Sequence, residues 1–437
     1  MFDDFNIKDK LKSIFSKEHL KRFFQGLAVA LILVAVFFSG YFSHYFSLNE
    51  ELRSIDFFLD IYNEHYYKPT DVKPVDLLVE GMMDIYSDYF TAEEYEKYQK
   101  EGQGSKSGFG IGISALEIVT VLGNSPAEKA GITTGGKIIA FKLAEVADFT
   151  LCENQTQLTD FLGSVTSAVS LKIQYGEEIK EFTLTKSDFT ENYVYYTDLT
   201  GTYRYNGEGN EMILTKYQGE KVNLQDGWGY LKLTQFNGLA DGTMGGAGQF
   251  AGALELFKQN KNNKLIIDLR GNGGGYVSIL ADIASHLCAT NTNKEFICQK
   301  ARYKDGTTSD FYSPKSCYND YSFESIVFLV NSNSASASEA LVGAVLDYDK
   351  NSNNNIVKVV VEPTEINGEK VYRSYGKGIM QSFYVNPLTG EAVKLTTAEI
   401  VWPITGTCIH DIGLNPTVDS RIYANNYGDA IEYAQTL

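Results

Sequence analysis

The chain has 437 residues, 43% of them apolar, and a formal net charge of −17. That length allows two or three domains with real cores. The acidic balance, without any basic stripe to neutralise phosphates, argues against nucleic-acid binding. Five cysteines, at 152, 288, 298, 317 and 408, form no C-x-x-C pair, which argues against zinc.

Residues 1–22 are polar and basic, and from Phe23 to Asn49 no charged residue occurs. The apolar run is long enough to span a bilayer. Basic residues precede it and Glu50 and Glu51 follow, so the N-terminus is expected inside and the bulk of the chain exported. An uncleaved anchor over 23–46 is the favoured reading, because Ser39-Gly40-Tyr41 is a poor cleavage site; a cleaved signal peptide is the alternative.

Residues 47–103 read as three helices. Leu52, Ile55, Phe57, Phe58 and Ile61 give the first an apolar face, Pro74 opens the second, and Thr91-Ala-Glu-Glu94 is a capping box for the third. Residues 104–187 follow as a small β-rich module. Gly108-Phe109-Gly110-Ile111-Gly112-Ile113 is a glycine-spaced strand start. Ser125-Pro-Ala-Glu128 caps a short helix, Lys137–Phe141 is a strand, and Val169, Leu171, Ile173 and Tyr175 alternate. Residues 188–228, rich in tyrosine and glycine with an Asn206-Gly207 hairpin signal, read as a β-rich insert of extra strands or a solvated hairpin.

From residue 229 to 437, strands alternate with helices, which predicts an α/β domain with its site at the carboxyl ends of strands. Leu265–Arg270 is an apolar strand that runs into Gly271-Asn-Gly-Gly-Gly275, with a helix expected at about 277–287. Such a glycine run lets backbone amides approach a ligand and can supply an oxyanion donor. Ile326–Val330 is a second buried strand. It leads into Ser334-Ala-Ser-Ala-Ser-Glu339 and then a helix. Ser336 with Glu339 fits a capping box, so this turn alone reads as capping or as catalysis. Tyr375-Gly-Lys-Gly378 through Gln381 reads as a strand on which Lys377, Ile379 and Gln381 share one face, a setting for a desolvated, neutral amine.

Taken together, Asp268-Leu-Arg-Gly-Asn-Gly-Gly-Gly275, Ser334–Glu339 and Gly376-Lys-Gly378 with Gln381 resemble the three signatures of the carboxyl-terminal processing peptidases, or tail-specific proteases. Ser87–Tyr95 resembles the helical lead-in of the same family, and 104–187 resembles its PDZ domain. The resemblance runs from about Leu52 to the C-terminus, 188–228 excepted. It implies a crotonase-like (ClpP/crotonase type) catalytic domain with an inserted PDZ domain. Ser336 is then the nucleophile, Lys377 the general base and Gln381 its orienting partner, with the amides of Gly275 and Ala337 as oxyanion hole. The PDZ strand start, Gly108, Phe109, Gly110 and Ile111, would hold the apolar C-terminal tails of protein substrates.

Such a Ser-Lys endopeptidase needs no metal or organic cofactor, and an oligomer is compatible with it. The alternative is an inactive, membrane-tethered scaffold that binds peptide tails. Only His286 and His410 lie near this chemistry and each reads as structural, so a Ser-His-Asp triad is poorly supplied. A dinucleotide fingerprint fails because Tyr276 stands where its third glycine belongs. Cys298 and Cys317 could form a disulfide in an exported domain, with buried free thiols the preferred reading. Lys377 follows Ser336 by more residues than the family usually has. The excess is expected in a polar loop over 347–354 and in 366–375.

Overall fold

The computed structural model describes residues 17–47, 52–55, 57–59, 74–205, 212–215, 222–238, 245–290, 292, 294–366 and 368–437. It divides into two compact units, Met1–Leu77 and Leu78–Leu437.

In the first unit, helix α1 (Lys17–Ser47) carries the uncharged run. Its segment Lys21–Gly40 is, among the described residues, the one helix long and apolar enough to cross a membrane. Residues 52–55 and 57–59 are helical as expected, while Ile61 lies outside the described residues. Helix α2 (Pro74–Met82) begins at its proline, whose missing N–H costs nothing in a first turn.

In the second unit, strand β1 (Asp88–Phe90) follows the end of α2, so the passage expected as a helical lead-in is in part a strand. Its backbone pairs antiparallel with Ala392–Lys394. Helix α3 (Ala92–Gly102) follows with its capping box in place: the Thr91 hydroxyl accepts from Glu94 N–H at 3.3 Å, and Glu94 accepts from Thr91 N–H at 2.9 Å.

Strands β2 (Ser105–Gly108), β3 (Ile111–Ser114) and β4 (Glu117–Val121) lead to the four-residue helix α4 (Pro126–Lys129). Then come β5 (Lys137–Leu143), β6 (Thr150–Leu151), helix α5 (Gln155–Ser164), β7 (Val169–Tyr175), β8 (Glu178–Leu184) and β9 (Ser187–Thr190). The sheet order is β3-β4-β5-β7-β8, with β6 on β5, and β9 closes against β2. Inward residues of these strands, among them Ile118, Ile138, Leu171 and Ile173, form a separate core with Leu158 of α5. Strand β3 is an edge.

Strands β10 (Val194–Asp198), β11 (Gly201–Tyr205) and β12 (Met212–Thr215) come from the segment expected as an insert. The Asn206-Gly207 turn itself lies outside the described residues. Of the two readings of this segment, extra strands or a solvated hairpin, the first is the one found. The three strands extend the central sheet, whose order is β12-β11-β10-β13-β14-β17-β18-β23. Its remaining members are β13 (Trp228–Leu233), β14 (Lys264–Asp268), β17 (Ser325–Val330), β18 (Val357–Val361) and β23 (Ile422–Ala424), mutually parallel. The fully buried tyrosines Tyr193, just before β10, and Tyr196, within it, explain the joining, because both enter the same core as Leu231 and Phe257.

Helices α6 (Gly246–Gln259), α7 (Val277–Leu287) and α8 (Ala337–Asn351) cover the sheet. Helix α8 runs through residues expected as a loop. Asp347 and Asp349 are buried at its end, accepting backbone N–H groups of Ile404, Thr405 and Ile356. Those acceptors turn a polar run into the last turn of a helix. Part of the remaining excess length is a hairpin, β19 (Thr364–Ile366) with β20 (Glu369–Val371).

A second sheet has the order β1-β22-β15-β16, with β21 on β22. It contains β15 (Phe296–Tyr303), β16 (Thr308–Ser313), β21 (Ile379–Val385) and β22 (Ala392–Val401). All five cysteines are free, including Cys298 and Cys317.

Candidate active site

The glycine loop leaves the carboxyl end of β14 and the serine turn leaves that of β17, its parallel neighbour. Two of the three serines bind these turns together. Ser334 is fully buried, donating to Leu269 O at 2.8 Å and accepting from Asn331 N–H at 3.0 Å. Ser338, also fully buried, donates to Asn272 O at 2.9 Å. Ser336 between them is only half-buried. It opens into a cavity of about 570 Å³ that it shares with Gly275, Ala337, Lys377 and Gln381. All five residues expected at the reaction centre are thus brought to one cavity.

Ser336 has φ 56° and ψ −116°, a conformation costly for any residue with a Cβ. The other serine, threonine and asparagine N-caps, Ser125, Thr91 and Asn154, have ordinary extended backbones. Glycine is required opposite. A Cβ on Gly274 would lie 2.8 Å from Ser336 Cβ, and one on Gly275 would lie 2.3 Å from Phe236 O. The backbone N–H groups of Gly275 and Ala337 donate to no protein acceptor among the described residues. Both remain available to a ligand oxygen.

Lys377 departs from the expected strand. Strand β21 begins only at Ile379, and a register shift between Met380 and Gln381 breaks the alternation that would have put 377, 379 and 381 on one face. The lysine sits instead in an extended loop whose amides are claimed by Glu339. That carboxylate accepts from Gly376 N–H at 2.8 Å, Lys377 N–H at 2.9 Å, Ser336 N–H at 3.0 Å and the Ser374 hydroxyl. Sequence reasoning gave Glu339 only the Ser336 contact; nothing in the S-x-x-E spacing shows that it also holds the lysine loop.

The Lys377 amine lies 4.8 Å from the centre of the Tyr86 ring and forms no ion pair among the described residues. Burial lowers its pKa below the ordinary lysine value. The charge of Lys394 adds to this, while Asp84 and Glu339 pull the other way. Tyr86 in turn donates to the Tyr375 hydroxyl at 3.0 Å, and burial followed by that bond pushes its phenol up to about 12. Gln381 makes no hydrogen bond to the amine among the described residues: its amide donates to Thr396 Oγ1 at 3.0 Å. Burial also raises the Glu339 carboxyl, against the four hydrogen bonds that favour its charge.

His286 lies apart from this chemistry, hydrogen-bonded to Tyr321 at 3.1 Å, with burial lowering its pKa to about 4. In the 104–187 module, Phe109, Gly110 and Ile111 line a separate cavity of about 320 Å³ between edge strand β3 and helix α5, with Leu162 and Lys186. Gly108, at φ 144°, precedes it.

Residues 227–420 match the model of peptidase family S41. The carboxyl-terminal-processing protease of Synechocystis sp. is 27% identical over 350 residues, covering 77% of this chain and 69% of its own length. The carboxy-terminal processing protease CtpB of Bacillus subtilis is 26% identical over 371 residues, covering 82% and 65%. A solved structure described as an S41 protease, from Bacteroides fragilis, has a similar fold, with a TM-score of 0.52, 15% identity and coverage of 85% of this chain and 90% of that one.

Proposed function

We propose that the chain, whose residues 227–420 match the model of peptidase family S41, is a membrane-anchored serine endopeptidase with a Ser336–Lys377 dyad. The observation that carries this is one cavity holding a strained serine at a helix start, an unpaired lysine amine of lowered pKa and two free backbone amides.

The chemistry follows from those groups. Neutral Lys377 takes the Ser336 proton as Oγ attacks the scissile carbonyl carbon. The developing oxyanion is received by the N–H groups of Gly275 and Ala337, each worth on the order of 10²–10³ in rate. Lys377 then protonates the leaving amine, and water hydrolyses the acyl-serine by the same path in reverse. Gln381, on the wall of the cavity, orients the amine once substrate displaces it from Thr396. Burial supplies what a free lysine lacks, since at its ordinary pKa of about 10.4 it is protonated at neutral pH.

The 104–187 module recruits substrate as a PDZ domain. An apolar C-terminal tail adds to the open edge of β3 and sets its last side chain into the Phe109–Ile111 cavity. Helix α1 anchors the chain, with module and protease on the extracytoplasmic side, the basic N-terminal flank remaining inside. The test uses the full chain in detergent with an unstructured peptide ending in apolar residues. Cleavage by the wild type, lost in Ser336→Ala and Lys377→Met, supports the dyad. Tail binding without any Ser336-dependent cleavage would make the chain a scaffold instead.

A further inference from the structure

Gln299 lies on β15 and is 1% exposed, yet neither its carboxamide nitrogen nor its oxygen has a hydrogen-bond partner among the described residues. A buried amide left so is expensive to keep, and calls for a partner from outside the chain. Gln299 is one of the residues that line the cavity holding Ser336 and Lys377. A β-bulge lies between Ile297 and Gln299, a recurrent feature beside active sites. Beyond the bulge the alternation resumes, so that Tyr303 lines the same cavity; so do Phe311 and Ile400, from the neighbouring strands. This wall is aromatic and aliphatic apart from one carboxamide. The other amide side chains of the cavity are engaged, Gln381 with Thr396 and Asn237 with Gln235.

We infer that Gln299 is a specificity-determining residue, which pairs its carboxamide with that of a glutamine or asparagine in the substrate. The inference rests on the peptidase reading. Complementarity selects the class. An orphan donor and acceptor side by side need a group that both accepts and donates. Lysine and arginine only donate, carboxylates only accept, and leucine or methionine do neither. A hydroxyl does both through a single oxygen, whereas a carboxamide closes two parallel bonds. An apolar pocket with few placed polar groups is how small sites read a ligand. Recognition at the cleaved bond is thereby separate from recognition of the tail by the 104–187 module.

The test is a set of peptides with one fixed apolar tail, each internal position varied through Gln, Asn, Leu, Met, Lys and Glu, cleaved by the full chain in detergent and mapped by mass spectrometry. At one position Gln or Asn should be favoured over Leu or Met on the order of tenfold or more. Gln299→Met should reverse that order, and Gln299→Glu should move the preference to Lys. Cleavage that Ser336→Ala abolishes but that shows no amide preference, or a preference that survives Gln299→Met, overturns the inference and leaves the peptidase standing. No Ser336-dependent cleavage of any peptide overturns the peptidase reading, and this inference with it.

Discussion

The chain contains the same four-residue pattern twice at a helix start, as Ser125-Pro126-Ala127-Glu128 and as Ser336-Ala337-Ser338-Glu339. The first is an ordinary cap. Ser125 has φ −71° and ψ 163°, is fully buried, and accepts from Glu128 N–H at 3.2 Å. Glu128 accepts from Asn124 N–H at 2.7 Å and pairs with Arg204 of β11 at 2.9 Å, fastening the 104–187 module to the central sheet. At the second, the backbone is left-handed and the serine faces a cavity, while Glu339 reaches across to the loop of Lys377. Identical spacing therefore serves two ends, and backbone strain separates them. A positive φ at a serine costs on the order of 1–3 kcal/mol, which a cap has no reason to bear.

Removing the hydroxyl at the strained turn should have the largest effect. Ser336→Ala should lower kcat on a cleavable peptide by on the order of 10⁴-fold or more, with the Tm little changed, because alanine keeps the Cβ and with it the strain. Lys377→Met should do the same, because a hydroxyl without a base is left to water. If Ser336→Ala retained wild-type turnover in a steady-state assay, the strained turn would be nothing more than a second cap.

That contrast also shows what the sequence can and cannot carry. Serine, lysine and glycine motifs are local, and strand–helix alternation places them at strand ends without reference to the rest of the chain. The parallel core was legible for the same reason, from Leu265–Arg270 and Ile326–Val330. The strand status of Lys377 was misread because the amides of Gly376 and Lys377 go to Glu339 rather than to a neighbouring strand, and the shared face with Gln381 because a bulge at Met380 and Gln381 shifts the period; no residue type there announces either. Strands β10 to β12 could not be assigned to the central sheet from alternation alone, since pairing to β13 is decided by tertiary burial of Tyr193 and Tyr196. Gln299 was invisible for a related reason: an unpaired amide is a property of its surroundings.

An intermediate effect is expected at Glu339, where the two catalytic segments meet. Glu339→Gln puts an amide donor where a carboxylate receives three backbone N–H groups and a hydroxyl. Each buried donor left unpaired costs about 1–3 kcal/mol, so thermal unfolding should show a clear fall in Tm. Turnover should drop by on the order of 10²-fold through misplacement of the base. Equal activity in a folded variant would remove Glu339 from the argument.

A smaller change is expected in the pH profile. Lys377 must be neutral to act, so kcat/KM should rise with pH through its lowered pKa, at a pH below the ordinary lysine value. Stability should rise over the same window, because between the folded and unfolded pKa values the unfolded chain binds more protons. The charge of Lys394 helps to hold the pKa down. Removing it in Lys394→Met favours the protonated amine, and the ascending limb should move to higher pH. Asp84→Asn should move it to lower pH. A limb that stays in place in both variants would show that Lys377 is not the titrating base.

The smallest effect on turnover belongs to the first of the paired turns. Ser125→Ala removes one capping acceptor from a four-residue helix, and such losses cost about 0.5–2 kcal/mol. The helix retains the Glu128 bonds to Asn124 N–H and to Arg204, which do not depend on the hydroxyl. Peptide cleavage by Ser125→Ala should therefore match the wild type at a temperature well below unfolding, with only a modest drop in Tm. The paired measurement inverts what is expected of Ser336→Ala, where turnover is lost and stability is kept. Loss of turnover at Ser125 as well would mean that the attachment of the 104–187 module to the sheet governs the site, and that strain alone does not mark the serine that reacts.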